Sequence, residues 1–286
     1  MTKPDTAAVG DAVTTAQPKK AAPSNLLLRI AAALVLVPLA LGAAYAGGVF
    51  WTALVTLVAV GLYLEWLMVV RAVRVSVIGA LAIAAVGVCL AFGLVDVAAV
   101  VLGLGLALVA ALAAGHRSWA ATGFIYAAAA ELASVLVRLD VTEGWHALVL
   151  VFLVVWSSDI GGYVAGRGIG GPKLAPRISP NKTWAGAIGG FGTSLLAAAC
   201  WALAGAGGLM AMVVLAAVLS IVSQLGDLFE SAVKRHFGVK DSSHIIPGHG
   251  GLLDRLDGYV AAIVFAAILG LLRGGLEGVG RGLLVW

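Results

Sequence analysis

The sequence predicts an all-α, polytopic integral membrane protein with about nine transmembrane helices. Of its 286 residues, 62% are hydrophobic and 11% are charged, whereas a soluble domain is nearer half apolar and a quarter charged. The mean hydropathy is +1.06. The apolar residues fall into runs of about 20, the length that a helix needs to cross the hydrocarbon core. A bilayer is therefore the expected solvent for most of the chain.

Nine apolar runs are long enough to span a membrane. They cover residues 27–46, 48–69, 76–95, 97–115, 119–138, 146–165, 186–206, 209–229 and 257–273. Their Gly and Ala content lets helices approach closely, which leaves a homodimer open. Cys89 and Cys200 lie within apolar runs, where packing is more plausible than a disulfide or a zinc site.

The distribution of basic residues predicts the orientation. With the N-terminus in the cytoplasm and nine alternating spans, fifteen of the 18 Lys and Arg residues face inward, and only Arg138, Arg273 and Arg281 face outward. The positive-inside rule therefore favours an inner-membrane protein with its N-terminus in and its C-terminus out. The pI near 9.2 and the net charge of +4 then reflect loops facing anionic headgroups rather than a nucleic-acid partner.

Two parts of different composition are expected. Residues 1–25 are polar, Ala/Thr-rich and punctuated by Pro and Lys, which predicts a disordered cytoplasmic tail. Residues 26–286 form one transmembrane domain without an internal repeat. Its polar residues concentrate in two cytoplasmic segments, 156–190 and 223–258, which hold most of the Asp, His and non-terminal Lys. Charge gathered on one side of so apolar a protein indicates a site there.

The second segment carries paired acids at two helix ends. Asp227 and Glu230 fall at the end of the eighth run, and Asp227 shares a helix face with Ser231. Asp254 and Asp257 share a face at the start of the ninth run. Carboxylates at facing helix ends could hold Mg²⁺; alternatively, they are ordinary solvated charges. Four cations lie nearby, a combination that suits a triphosphate: Lys234, Arg235, Lys240 and Arg255.

Glycines and hydroxyls in both segments are compatible with phosphate binding. The turn at 247–251, Pro-Gly-His-Gly-Gly, could bring backbone N–H groups to a phosphate, with His249 as a contact, or it could be a flexible turn. His244 is interpreted as structural. In the first segment, Ser179, Lys182 and Thr183 could bind phosphate at a helix N-terminus or form a capping turn. The glycine-rich string at 166–171 is not a dinucleotide loop, because no βαβ unit surrounds it.

Residues 231–257, SAVKRHFGVKDSSHIIPGHGGLLDRLD, resemble the signature of the phosphatidate cytidylyltransferases (CDP-diacylglycerol synthases). The string Gln-Leu-Gly-Asp at 224–227 also matches, as do Asp159, Gly166-Arg167 and the Ser-Pro-x-Lys-Thr-Trp string at 179–184. The resemblance covers about the C-terminal half of the chain. One position departs: Ala185 stands where the family usually has Glu, so either that Glu is dispensable or another acid such as Glu230 substitutes.

The resemblance implies a metal-dependent transfer of the cytidylyl group of CTP to phosphatidate, giving CDP-diacylglycerol and pyrophosphate for phospholipid biosynthesis. The implied cofactor is Mg²⁺, with room for a second, monovalent cation such as K⁺, and Asp227 and Asp254 are the first metal-ligand candidates. The implied catalytic residues are Asp227, Lys234, Arg235, Asp241, His249, Asp254, Arg255 and Asp257. The implied substrate-binding residues are Asp159, Arg167, Ser179, Lys182, Thr183 and Ser231. The partners are CTP, phosphatidate and membrane lipids, without nucleic acid.

Two other functions remain open on the sequence. A CTP-dependent lipid kinase would cut at the γ-phosphate of CTP. A transporter would place ionisable residues within its spans, and Glu65 and Glu131 lie inside predicted spans. The products separate the three: pyrophosphate release indicates the transferase, CDP release the kinase, and neither indicates transport.

Overall fold

A computed structural model describes residues 25–113, 115–243, 245 and 250–286. The predicted tail, apart from Asn25, lies outside these residues. Ten α-helices and one two-stranded sheet form the described part. The helices are α1 (Asn25–Ala46), α2 (Gly48–Val69), α3 (Ser76–Ala91), α4 (Val95–Leu112), α5 (Arg117–Leu139), α6 (Gly144–Gly168), α7 (Trp184–Trp201), α8 (Leu209–His236), α9 (Leu253–Gly274) and α10 (Val279–Leu284). The strands are β1 (Lys173–Ala175) and β2 (Ser179–Thr183).

The helices from α2 to α9 make this a membrane protein. Among the described residues, these eight are long and apolar enough to cross a bilayer, and α1 contributes a shorter apolar stretch, Leu34–Ala46. Large apolar side chains such as Leu57 and Leu81 are 71% and 65% exposed, as expected for surfaces that face lipid. The all-α, polytopic class is confirmed. The count of nine spans and the orientation stay predictions.

Contacts at both ends of the bundle show which ends of α1, α2, α5 and α9 lie together. At one end, Glu65 in the last turn of α2 accepts a hydrogen bond from the backbone of Leu253 at the start of α9. At the other end, Arg138 in the last turn of α5 donates to the carbonyl of Ala44 in α1. We call the first the site end: there α2, α6 and α8 end, and α7 and α9 begin.

Helices α6 and α7 pack against each other through small residues. A Cβ atom on Gly186 would lie 2.9 Å from the carbonyl oxygen of Gly162, and one on Gly190 would lie 2.5 Å from that of Ser158. The absence of side chains at these glycines therefore permits the close backbone contact. The antiparallel hairpin β1–β2, in which Lys173 pairs with Thr183, connects the two helices at the site end.

Four features differ from the sequence-based prediction. Helix α8 continues to His236 instead of ending near 229, and α9 begins at Leu253 instead of near 257. Because Glu230 and Lys234 are buried against the bundle, a polar stretch continues as helix beyond the apolar run. The second polar segment is therefore mostly helical. The hairpin and the short helix α10 had no counterpart in the prediction.

Candidate functional site

A cavity of about 540 Å³ opens at the site end between α6, the hairpin, the start of α7 and α8. Five of the residues that the sequence predicted for the site line this cavity: Asp159, Arg167, Lys182, Thr183 and Asp227. The structure therefore brings the first polar segment together with the second. Asn181 and Gln224 also line the cavity and were not among the predicted site residues. Their amides add neutral hydrogen-bonding groups to its charged wall.

The central contact of the cavity is an ion pair between Lys182 Nζ and Asp227 Oδ2. Lys182 lies on β2 and Asp227 on α8, and their side chains are 28% and 30% exposed. Ser231, one turn further along α8, lies with its Oγ 3.4 Å from Asp227 Oδ1. The shared face of Asp227 and Ser231 is thus confirmed. A cation and an anion are both presented to the same solvent-accessible space.

The hairpin is fixed to the helices on both sides. Thr183 is the N-cap of α7, and its Oγ1 accepts a hydrogen bond of 3.1 Å from the backbone N–H of Gly186. Arg235 in the last turn of α8 donates to the carbonyls of Ile178 (3.2 Å) and Val239 (3.0 Å). Ser179 begins β2 and is partly exposed. These contacts hold Lys182 over the cavity.

Acids from three helices converge beside the cavity. Asp257 on α9 lies within electrostatic range of Asp227, Glu230 and Asp159, and its Oδ1 accepts a 2.7 Å hydrogen bond from the backbone of Gly258. Asp159 on α6 lies within range of Asp227, Lys182 and Arg255. This cluster is the convergence that the paired acids at the helix ends predicted.

Asp254 lies in a second, more enclosed cluster. Lys234 Nζ is 2.5 Å from Asp254 Oδ1 and 2.7 Å from Glu230 Oε2. Asp254 Oδ2 also accepts from the N–H and Oγ of Ser242, each at 3.0 Å, and from the N–H of Gly251 at 2.9 Å. Protein donors therefore occupy both of its oxygens. The carboxylate of Glu230 is different. Its Oε2 forms an ion pair with Lys234 whose geometry is not that of a hydrogen bond. Its Oε1 has no hydrogen-bond partner among the described residues.

The remaining predicted residues lie at the edge of the site or outside the residues that the structure describes. Asp241 is exposed in the loop after α8, and Arg255 is exposed in the first turn of α9, where its charge acts on Asp159. His249, together with His244, lies outside the described residues. Their predicted roles stay predictions.

One residue of the N-terminal half, Glu65, contacts this region, although the sequence did not predict it as part of the site. Glu65 in α2 is fully buried and accepts four hydrogen bonds from the loop before α9 and from the first residues of that helix. A carboxylate inside an apolar run signalled it, because a charge in a membrane helix needs a partner. Its partners, which lie 177 to 188 positions away, could not be predicted from the sequence.

The fold and the cavity together define an integral membrane enzyme whose charged site suits a phosphate-bearing substrate. The chain belongs to the cytidylyltransferase family, whose family model matches residues 27–272. This match covers seven of the ten helices completely, from α2 to α8, and nearly all of α1 and α9. It includes every described residue that we place in the site.

Individual relatives support the same assignment. The chain is 43% identical over 262 residues to the phosphatidate cytidylyltransferase of Brucella suis, an alignment that covers 86% of this chain and 94% of the relative. The phosphatidate cytidylyltransferases of Haemophilus influenzae and Staphylococcus aureus (strain COL) are each 45% identical, over 132 and 139 residues. Those alignments cover 44% and 45% of this chain, and 46% and 50% of the two relatives.

Proposed function

We propose that the protein transfers the cytidylyl group of CTP to phosphatidate, giving CDP-diacylglycerol and pyrophosphate. The observation that carries this proposal is the cavity that holds Lys182, Arg167 and Asp227 at one end of a membrane bundle. A lipid phosphate lies at headgroup depth, and a nucleotide reaches that depth from the aqueous side. A charged cavity at the end of the bundle can therefore receive both.

The reaction is an in-line substitution at phosphorus. An anionic oxygen of the phosphatidate phosphate forms a bond to the α-phosphorus of CTP, and the bond from that phosphorus to the α,β-bridging oxygen breaks. Pyrophosphate leaves with the bonding electrons. Because the attacking oxygen is already anionic near neutral pH, positioning and charge neutralisation supply most of the rate enhancement.

The residues of the cavity supply these two effects. Lys182 lies on the hairpin, is paired with Asp227 and would neutralise a phosphate of the nucleotide. Arg167, exposed in the last turn of α6, would bind a second phosphate. Asn181 and Gln224 would orient oxygen atoms without adding charge. Asp241 and Arg255 remain proposed contributors at the rim. A contribution of His249, which lies outside the described residues, stays a prediction from the sequence.

The acid cluster fits a divalent cation. No three His, Cys, Asp or Glu side chains form a ready-made cage within the described part of the chain. However, Mg²⁺ commonly uses one or two carboxylates and completes its shell with water and substrate phosphates. One or two of the carboxylates of Asp227, Asp257 and Asp159 would hold it, since the mutual repulsion of these acids favours a cation. When bound, Mg²⁺ would neutralise charge on the phosphates. Asp254, the other sequence candidate, has its oxygens bound to protein donors and would support the cluster.

We also propose that the site faces the cytoplasm of a cell whose inner membrane holds the protein. The basis is the excess of Lys and Arg on that side of the bundle. CTP is a cytoplasmic nucleotide, so this orientation places the cavity where the substrate is found. A homodimer through the Gly- and Ala-rich helix faces stays a prediction, which cross-linking in native membranes would test.

The deciding experiment measures products. Purified protein in detergent receives CTP labelled at the α-phosphorus, phosphatidate and Mg²⁺, and we expect label in a chloroform-soluble product with equimolar pyrophosphate. EDTA should stop the reaction and excess Mg²⁺ should restore it. Release of CDP without lipid labelling would indicate the kinase instead. Absence of either product, with uptake of a solute by proteoliposomes, would indicate the transporter.

A further inference from the structure

A glutamate of the second membrane helix holds the loop and helix that carry the α9 acids. Glu65 Oε1 accepts hydrogen bonds from Ser243 Oγ (2.6 Å) and Leu252 N (2.9 Å). Glu65 Oε2 accepts from Ser242 Oγ (2.8 Å) and Leu253 N (2.7 Å). The residue has no exposed surface. We call Ser242, Ser243, Leu252 and Leu253 the anchored residues.

Two of these bonds cap α9 from another helix. The residue at the N-cap position of α9, Leu252, has no side chain that can accept a hydrogen bond. The first N–H groups of a helix lack intrahelical partners, and the helix N-terminus carries partial positive charge. The carboxylate of Glu65 satisfies two of those N–H groups and places a negative charge at that terminus. The start of α9 is therefore fixed against α2.

The same contacts reach the acids of the site. Ser242 Oγ contacts both Glu65 and Asp254, and Asp254 in turn binds Lys234 of α8. Asp257 follows one turn after Leu253 on α9. A shift or rotation of the start of α9 would therefore move Asp257 relative to Asp227. The loop before α9 packs tightly against Glu65, because a Cβ atom on Gly251 would lie 2.5 Å from Glu65 Oε2.

The chain offers a matched control for a buried membrane glutamate. Glu131 in α5 is also fully buried. Its Oε1 accepts a 2.7 Å hydrogen bond from Thr56 Oγ1 of α2, and it lines a small apolar cavity in the middle of the bundle. It therefore shares the burial and the residue type of Glu65 but has no hydrogen bond to the anchored residues.

We propose that Glu65 is a positioning residue for the cytidylyl transfer. It fixes the anchored residues and the start of α9 so that Asp257 meets Asp227 and Asp159 beside the cavity. This inference rests on the proposed function for its kinetic consequence, while the anchoring itself is independent of the reaction.

The kinetic test compares Glu65→Gln, Glu65→Asp and Glu131→Gln with the wild type, each normalised to monodisperse protein. Glu65→Gln places an amide N–H₂ among N–H and O–H donors, and we expect kcat to fall about 100-fold, the scale of a misplaced catalytic group. The KM for CTP should change far less. Glu65→Asp retains the carboxylate and should recover at least part of kcat. Glu131→Gln should retain kcat.

A second measurement does not need the reaction. Hydrogen–deuterium exchange of the backbone amides of Leu252 and Leu253 should be faster in Glu65→Gln than in Glu131→Gln and the wild type. Unchanged exchange would overturn the anchor. Wild-type protein that makes no CDP-diacylglycerol would instead count against the proposed function, whatever the exchange result.

Should Glu65→Gln fail to fold, Ser243→Ala decides the question, because it removes one of the four bonds and leaves the carboxylate in place. We expect kcat to fall about fivefold with normal yield, the loss that one hydrogen bond predicts. A wild-type kcat in Ser243→Ala, or equal losses of kcat in Glu65→Gln and Glu131→Gln, would overturn the positioning role.

Discussion

Lys182 and Asp227 form an ion pair across the cavity, although they lie 45 positions apart in the sequence. The pair joins the hairpin to α8. Both side chains retain access to the cavity, so the contact is compatible with exchange of partners when a phosphate or a cation enters. A partly exposed pair of this kind adds little to stability. We therefore propose that the pair acts in the reaction rather than in stabilising the fold.

The first prediction concerns Asp227. Asp227→Asn should lower turnover at least about 1,000-fold while leaving the yield of folded protein unchanged, since the neutral side chain can no longer balance the cations of the substrate complex. The measurement is the rate of CDP-diacylglycerol formation by protein purified in detergent. Asp96→Asn, an exposed acid in the first turn of α4, is the matched control and should retain full activity.

A charge exchange sharpens this test. Lys182→Asp combined with Asp227→Lys restores an ion pair but moves the carboxylate from α8 to the hairpin. We expect the double variant to remain inactive. Recovery of turnover would show that the pair only fastens the hairpin to α8.

The second prediction separates Asp254 from Asp257. Asp254 binds Lys234, Ser242 and Gly251, and its side chain is 10% exposed. Asp254→Asn should therefore lower the free energy of unfolding by about 3 kcal/mol, because it leaves the buried Lys234 with a weaker partner. Asp257→Asn should instead abolish turnover with little change in thermal stability. Thermal unfolding and activity, measured on the same preparations, distinguish the two. Similar unfolding temperatures in both variants would contradict the separation.

The third prediction concerns the close approach at Gly251. A methyl group there would collide with Ser242 Oγ and Glu65 Oε2, so Gly251→Ala should displace the start of α9. We expect turnover to fall at least about tenfold. Gly192→Ala in α7 is the control, because a Cβ atom at Gly192 meets nothing within 4 Å. Equal activity of the two variants would be inconsistent with the tight packing described above.

The fourth prediction is a pH dependence at the end of the bundle remote from the site. Burial alone would raise the pKa of Asp140, but hydrogen bonds from the backbone of Arg281, from Thr142 and from Glu143 lower it below its usual value. A carboxyl with a depressed pKa stabilises the fold above its unfolded pKa of about 3.9, and this stabilisation is lost as the pH falls through the folded pKa. Asp140→Asn should thus be less stable than the wild type at pH 7.

Thermal unfolding in detergent at pH 7 and at about pH 3 checks this prediction. The difference in unfolding temperature between the wild type and Asp140→Asn should be smaller at the lower pH, because the wild-type carboxyl also becomes protonated there. The same difference in unfolding temperature at both pH values would exclude the proposed protonation effect. Activity per folded molecule at pH 7 should be the same in both proteins.

The membrane helices could be predicted because their signal is local. A run of about 20 apolar residues identifies a span without knowledge of its neighbours, and the described bounds of α2 and α5 lie within two residues of the predicted ones. The end of α8 could not be predicted in this way. Glu230 and Lys234 look like loop residues in sequence, and only their burial against α9 shows why the helix continues.

The candidate site was predictable to the extent that it follows a family motif. Asp227, Lys182 and Asp159 were identified from the sequence, and the structure gathers them beside one cavity. The hairpin that carries Lys182 was not predicted, because Pro172, Pro176 and Pro180 resemble a loop. The hydrogen-bonded state of Asp254 and the partners of Glu65 depend on tertiary contacts that no local pattern encodes.

The bonds to Glu65 also have a consequence for the order of biosynthesis. The ribosome completes α2 long before it reaches Ser242 and Leu253, so the newly inserted helix holds a carboxyl without its final donors. Such a group is costly in hydrocarbon until it finds hydrogen-bond donors. The arrival of α9 relieves this cost. On the positioning role proposed for Glu65, insertion of α9 and completion of the site would occur in the same assembly step.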